Sequence, residues 1–194
     1  MAKLLTRDEQ SKKIKAGMQD FYAYKNMLEI PDIEKIVIHR GLGEATTNSK
    51  CIDIAMAEFT QLASQKPVLT LAKQSISNFK LREGQINGIK VTLRGRKAIL
   101  FLIKFTNLVL PKIRDFRGVS PKSFDGRGNY TMGIKDVSIF PEVTKESDRD
   151  RGLDITIVTS AKTDAECKQL LVLYGMPFRG GPSNTVEKQI TGTV

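Results

Sequence analysis

Ile89-Lys90-Val91-Thr92-Leu93-Arg94 is the stretch on which the fold turns. Apolar and polar residues alternate along it, and an extended chain points successive side chains to opposite faces. Ile89, Val91 and Leu93 therefore belong to a core, and Lys90, Thr92 and Arg94 to a surface. A strand of this kind needs cover on one side only, which predicts an α+β fold: a mainly antiparallel sheet with helices packed on one face and the other face open. The same parity in residues 33–40 sends Ile36 and Ile38 one way and Lys35, Val37 and His39 the other. If the two strands are neighbours, His39 joins the polar row.

The flanking segments supply the helices. Ile14, Met18, Phe21 and Tyr22 recur at helical spacing behind Thr6-Arg7-Asp8-Glu9, a capping-box string, and Pro31 closes that segment. Ile52, Met56, Phe59 and Leu62 mark a second amphipathic helix after the polar run 46–49, broken by Gln65-Lys66-Pro67, and residues 68–71 form a short strand. A mostly apolar helix over about 96–110 stops at Pro111. Residues 117–133 are too rich in glycine for regular structure, and 134–140 and 153–159 read as two more strands joined by the charged connection 141–152. Thr163-Asp164-Ala165-Glu166 opens a last helix that ends at Tyr174-Gly175. Residues 1–179 are expected to form one α+β domain, followed by a flexible tail over 180–194.

Composition bounds the function. With 40% apolar and 27% charged residues the chain is in the ordinary globular range. Its longest nearly apolar stretch, residues 98–110, is interrupted by Lys104 and falls short of the roughly 20 residues that span a bilayer. No secretory signal opens the chain, so a soluble, non-secreted protein without a membrane partner is expected. Two cysteines and one histidine exclude a Cys/His zinc site, and no metal or cofactor is called for.

The formal net charge is +10, and its placement says more than its size. Lys66, Lys73, Lys80, Arg82, Lys90, Arg94, Arg96, Lys97, Lys104, Lys112, Arg114 and Arg117 crowd into residues 64–117 against only Glu83 and Asp115. Such a cluster suits phosphate, above all a nucleic-acid backbone; the bland alternative is a solvated basic face. Within it, the connection 73–88 is long for a compact domain and carries Lys73, Ser75, Ser77, Asn78, Phe79, Lys80 and Arg82. Phe79 either stacks on a base or anchors the loop in the core.

Enzyme templates fail. Gly41-Leu42-Gly43 begins like a dinucleotide fingerprint, but Thr46 stands at the third glycine position, and no phosphate-loop or nucleophile-elbow motif occurs. Asp115 and Asp125, each flanked by arginine, read as salt-bridged loop anchors, and His39 has no evident catalytic partner. No catalytic residue is assigned. A protein-interaction module and a small phosphate-binding enzyme remain the rivals to nucleic-acid binding.

Eight ordered strings carry a resemblance: Gly41-Leu42-Gly43-Glu44-Ala45, Gln65-Lys66-Pro67, Lys90-Val91-Thr92-Leu93-Arg94-Gly95, Arg114-Asp115-Phe116-Arg117-Gly118, Ser123-Phe124-Asp125-Gly126-Arg127-Gly128-Asn129-Tyr130, Phe140-Pro141-Glu142, Arg151-Gly152-Leu153-Asp154-Ile155-Thr156 and Met176-Pro177-Phe178-Arg179. In order and spacing, over residues 10–179, the chain resembles the bacterial-type ribosomal large-subunit protein five family. The resemblance implies a non-enzymatic ribosomal component that binds 5S ribosomal RNA and helps seat it in the central protuberance, beside large-subunit ribosomal RNA and other ribosomal proteins.

It also implies contacts residue by residue. Gln65, Thr92 and Arg94 match RNA-contacting positions, and His39 replaces a family Asn; Lys90 shares their strand face. The loop from Lys73 to Arg82 matches the segment that reaches the elbow of the peptidyl-site transfer RNA. The connection with Glu142, Lys145, Glu146, Asp148, Arg149, Asp150 and Arg151 matches the segment that bridges to a small-subunit head protein. Val119-Ser120-Pro121 and the glycine-containing tail resemble the plastid and cyanobacterial branch, so a ribosome of the chloroplast stroma is expected, with the bacterial cytoplasm as the alternative.

Overall fold

The structure is a computed structural model that describes residues 7–22, 24–43, 50–143 and 152–180. Its five strands are β1 (Ile33–Gly41), β2 (Val68–Leu71), β3 (Ile86–Arg94), β4 (Tyr130–Ile134) and β5 (Leu153–Thr159). They lie in the order β2-β3-β1-β5-β4, and every pairing is antiparallel. Four helices accompany them: α1 (Arg7–Tyr22), α2 (Lys50–Ala63), α3 (Arg96–Lys104) and α4 (Asp164–Leu173). The α+β class and the antiparallel sheet read from the sequence are both present.

Strand parity decides which face the helices cover. Ile36 and Ile38 of β1, Ile89, Val91 and Leu93 of β3, and Leu153, Ile155 and Ile157 of β5 are buried in one cluster with Phe59 of α2, Leu102 of α3 and Leu170 and Leu171 of α4. Burying side chains of this size contributes roughly 1.5–3 kcal/mol each. The residues of opposite parity, Lys35, Val37, His39, Lys90, Thr92, Arg94, Asp154, Thr156 and Val158, are exposed or half-buried.

Several elements depart from expectation. The fourth strand is not 134–140 but Tyr130–Ile134, inside the stretch read as irregular. Gly133 there does not break the strand: it faces Asp154, and a Cβ would lie 3.2 Å from the Asp154 carboxylate. Val137–Ile139 is instead a 3₁₀ turn, started by the Asp136 carboxylate accepting the Ser138 amide at 2.8 Å. The helix expected over 96–110 is α-helical only to Lys104, followed by a π-helical turn Phe105–Val109 and a 3₁₀ turn Leu110–Lys112. Thr106 marks the change, because its hydroxyl donates back to the carbonyls of Leu102 and Ile103, both at 3.1 Å. Phe105 keeps its place in the core in a three-ring cluster with Phe101 and Phe140.

In α1, Ile14 and Met18 are buried as expected, but Phe21 is 67% and Tyr22 39% exposed. Ile14 and Met18 seat α1 on the body, and Gly17 leaves room there for Leu173 of α4. The α4 capping box is complete: the Thr163 hydroxyl accepts the Glu166 amide, and the Glu166 carboxylate accepts the Thr163 amide. Thr6, the polar run 46–49 and the tail 181–194 lie outside the described residues.

One core-facing position of β1 is charged. Arg40, 3% exposed, pairs with Glu58 of α2, donates from Nε to the Gly152 carbonyl at 3.2 Å and lies 5.0 Å over the Phe59 ring. The pair locks α2 to the end of the sheet. Removing one partner strands a charge without water, so Glu58→Ala should cost about 3–5 kcal/mol in a urea-unfolding titration. A loss below 1 kcal/mol would show that the pair is dispensable.

Candidate nucleic-acid interface

The register between strands arranges the open face in rows. Arg94 of β3 stands opposite Lys35 of β1, which faces Val158 of β5. The next row runs Thr92, Val37, Thr156 and Thr131, from β3 through β1 and β5 to β4. The third runs Val68, Lys90, His39, Asp154 and Gly133 across all five strands. Thus β1 and β3 are neighbours, and His39 does join the Lys-Thr-Arg row, directly opposite Lys90.

The two halves of this face differ. Lys35, Lys90 and Arg94 put the cations over β1 and β3, while β5 and β4 offer Thr156 and Thr131, whose hydroxyls hydrogen-bond at 3.2 Å, and one carboxylate, Asp154. Gln65 enters from the turn after α2: its Nε2 donates to the Thr92 carbonyl at 3.3 Å, fixing the amide at the edge of the polar rows. Sequence reasoning named His39, Gln65, Lys90, Thr92 and Arg94, and the structure brings all five to one surface. It overlooked Thr131, Asp154 and Thr156. Alternation in 153–159 carried the signal for two of them, while Thr131 was hidden by misplacing β4.

The basic loop is a short, internally bonded hairpin. Because β3 starts at Ile86, only residues 72–85 connect the two strands. Ile76 bridges Leu81, the Ser75 hydroxyl accepts the Glu83 amide at 2.9 Å, and the Gln85 side chain accepts the Arg82 amide at 2.8 Å. At the tip, a 3₁₀ turn Ser77–Phe79 is closed by Lys80 in the left-handed region, φ 52°. Lys73, Ser75, Ser77, Asn78, Lys80 and Arg82 are all exposed, and so is Phe79, at 75%. Phe79 is therefore not a core anchor.

Other predicted groups have structural tasks. The Asp125 carboxylate accepts the Asn129 side-chain amide at 2.6 Å and the amides of Arg127 and Asn129, which together hold it below the usual carboxylate range. It anchors its loop through amides rather than through the arginine ion pair expected. Lys97 and Lys104 donate to the carbonyls of Ser64 and Leu62 at the C-terminal end of α2, each at 3.2 Å, and Lys104 also pairs with Glu142 at 3.0 Å. So Glu142, expected at an intersubunit contact, is turned toward the protein's own body. Lys145, Glu146, Asp148, Arg149, Asp150 and Arg151 lie outside the described residues.

Residues 86–178 match the model of the ribosomal L5P family C-terminus, and residues 26–82 match that of Ribosomal protein L5. Over 167 residues the chain is 56% identical to the large ribosomal subunit protein uL5 of Heliobacterium modesticaldum, covering 86% of this chain and 93% of that protein. It is 51% identical over 173 residues to uL5 of a Thermoanaerobacter species, covering 89% of this chain and 97% of that one. These relatives are bacterial. They fit the bacterial alternative and lend no support to the plastid source expected from the sequence.

The division of the basic residues is measurable. Lys104→Ala should lower stability by about 1 kcal/mol, through loss of a helix C-terminal cation and an ion pair, while leaving RNA affinity within twofold. A large loss of RNA affinity in a fully folded variant would return Lys104 to the interface.

Proposed function

We propose, from the premise that the chain belongs to the uL5 family of large ribosomal subunit proteins, that its open sheet face binds 5S ribosomal RNA. The protein is a structural constituent of the large subunit and not an enzyme, and its partners are ribosomal RNA and other ribosomal proteins. The observation that carries the finer reading is the convergence on one surface of His39, Thr92, Arg94 and Gln65, the positions the family resemblance marks, together with Lys90 beside them.

The chemistry of that surface suits double-stranded RNA. An A-form helix offers a wide, shallow minor groove lined by 2′-hydroxyls and flanked by phosphates. A sheet face is similarly broad. Thr92 and Gln65 present groups that can donate to or accept from a hydroxyl, while Arg94 and Lys90 meet phosphate; Arg94 adds a planar fork that holds two oxygens at once. His39 in the family's Asn position keeps hydrogen-bonding capacity with a ring geometry. Helping to seat 5S ribosomal RNA in the central protuberance follows from binding it on a rigid surface.

The hairpin tip would serve a second RNA. Lys73, Lys80 and Arg82 fit the backbone of the peptidyl-site transfer RNA elbow, a contact that must accept every transfer RNA and so needs no base code. Phe79, held outward by the 3₁₀ turn, adds a stacking surface indifferent to sequence. For the connection 141–152, the mixed charge of its sequence suits a contact with a small-subunit head protein that re-forms as the subunits move.

Arg94→Ala should weaken binding to isolated 5S ribosomal RNA by about 1–3 kcal/mol in a filter-binding titration at fixed salt. Repeating the titration across salt should give a linear log-log decline whose slope becomes shallower in the variant. Unchanged affinity would remove Arg94 from the interface. Phe79→Ala should leave 5S binding intact and speed dissociation of peptidyl-site transfer RNA from reconstituted ribosomes by roughly 5-fold or more, the lower end of what one lost stacking contact is worth; an unchanged rate would leave the tip without a stacking role.

A further inference from the structure

Asp154 is an anomaly on a face suited to phosphate. It is the only acid in the three cross-strand rows, standing one strand from His39 and two from Lys90. Its carboxylate is 63% exposed, and one oxygen lies 4.0 Å from His39 Nδ1, beyond hydrogen-bond distance. Among the described residues no donor reaches it, so its acceptor positions face outward unused. A lone carboxylate there repels a phosphate backbone and is a cost unless it meets a donor.

The other carboxylate oxygen lies over Gly133, where a Cβ would come within 3.2 Å, and the His39 ring lies over Gly88, where a Cβ would come within 3.1 Å of Nε2. Asp154 thus leans toward β4 and His39 toward β3. The cations Lys35, Lys90 and Arg94 stand on β1 and β3 and the threonine hydroxyls of residues 131 and 156 on β4 and β5, so a duplex lying across the rows would put its phosphates over β1 and β3 and the centre of its groove over β5.

We propose that Asp154 is an RNA-reading residue: its carboxylate accepts a hydrogen bond from a donor in the minor groove of the bound duplex and so sets the register of the RNA on the sheet. The donors an A-form minor groove displays are the guanine amino group and the ribose 2′-hydroxyl, and both share the required chemistry. The inference rests on the RNA-binding reading of this face and adds to it the one group that phosphate attraction cannot explain.

The test uses the full chain and 5S ribosomal RNA at fixed salt. If Asp154 reads a donor, Asp154→Ala weakens binding by roughly tenfold or more, as loss of a hydrogen bond to a charged group would. If it is only a repulsive surface acid, the same variant binds as tightly or more tightly, and the proposal falls. Combining Asp154→Ala with His39→Ala separates reading from positioning: an unchanged affinity on adding Asp154→Ala to the His39→Ala protein would mean that Asp154 acts only through His39, which overturns the proposal. RNA with inosine in place of guanosine, or with 2′-deoxyribose, identifies the donor. One of these should weaken wild-type binding yet cost the Asp154→Ala protein nothing further, and a loss equal in both proteins for both RNAs would also overturn the proposal. Failure of the wild-type chain to bind 5S ribosomal RNA at all would instead defeat the underlying reading.

Discussion

The helices of this fold bury one face of the five-stranded sheet and leave the other open, and this asymmetry constrains every strand. Each long strand must carry apolar residues at one parity and polar or small ones at the other, or leave apolar surface in water. β1, β3 and β5 obey it together, and because their pairings are antiparallel with matched register, the polar sets merge into continuous rows. A register slip of one residue would exchange the two faces completely. The candidate interface is thus a by-product of the constraint that builds the core, which explains how side chains from residues 39, 92 and 154 meet without any local motif joining them.

Where the sequence was legible, a strong period had no competitor. Residues 89–94 alternate without interruption, and the α4 boundaries follow from Thr163, Glu166 and Gly175, whose cap geometry is local. Legibility failed where tertiary contact overrode a local rule. Gly133 reads as a loop residue in isolation, yet in the sheet its missing side chain makes room for Asp154. Val137 and Ile139 look like strand residues but pack from a 3₁₀ turn that Asp136 starts. The apolar run 96–110 carries no mark of its π-helical turn except Thr106, an ambiguous residue until its carbonyl partners are known. Arg40 was invisible as a core residue, since its burial depends on Glu58 in another element. At the site, parity found the β1 and β3 residues and would have found Asp154 and Thr156, whereas Gln65 was legible only through family resemblance.

The basic residues of 64–117 do not all face a partner. Lys97 and Lys104 neutralise the carbonyl end of α2, where a helix dipole favours cations. Such lysines strengthen the fold and add to the long-range field without being available as close contacts. The remainder splits between a rigid sheet and a projecting hairpin. Counting basic residues therefore overstates the number of phosphates neutralised, and the slope of affinity against salt measures only those that displace counterions.

The two surfaces also differ in how they can be used. On the sheet, backbone register fixes the backbone positions of Arg94, Thr92 and Lys90 before any partner arrives, so only side-chain freedom is lost on association, which favours a long-lived contact. The hairpin projects from the body, and its polar side chains gain their positions from turn hydrogen bonds rather than from burial. Exposed cations and one exposed ring on such a support bind through groups that are individually weak and indifferent to sequence. Under the proposed assignment, that suits a partner that must leave in every cycle, while the sheet suits one that stays. The difference arises from the same few residues of chain, because β3 both ends the hairpin and carries the central polar row.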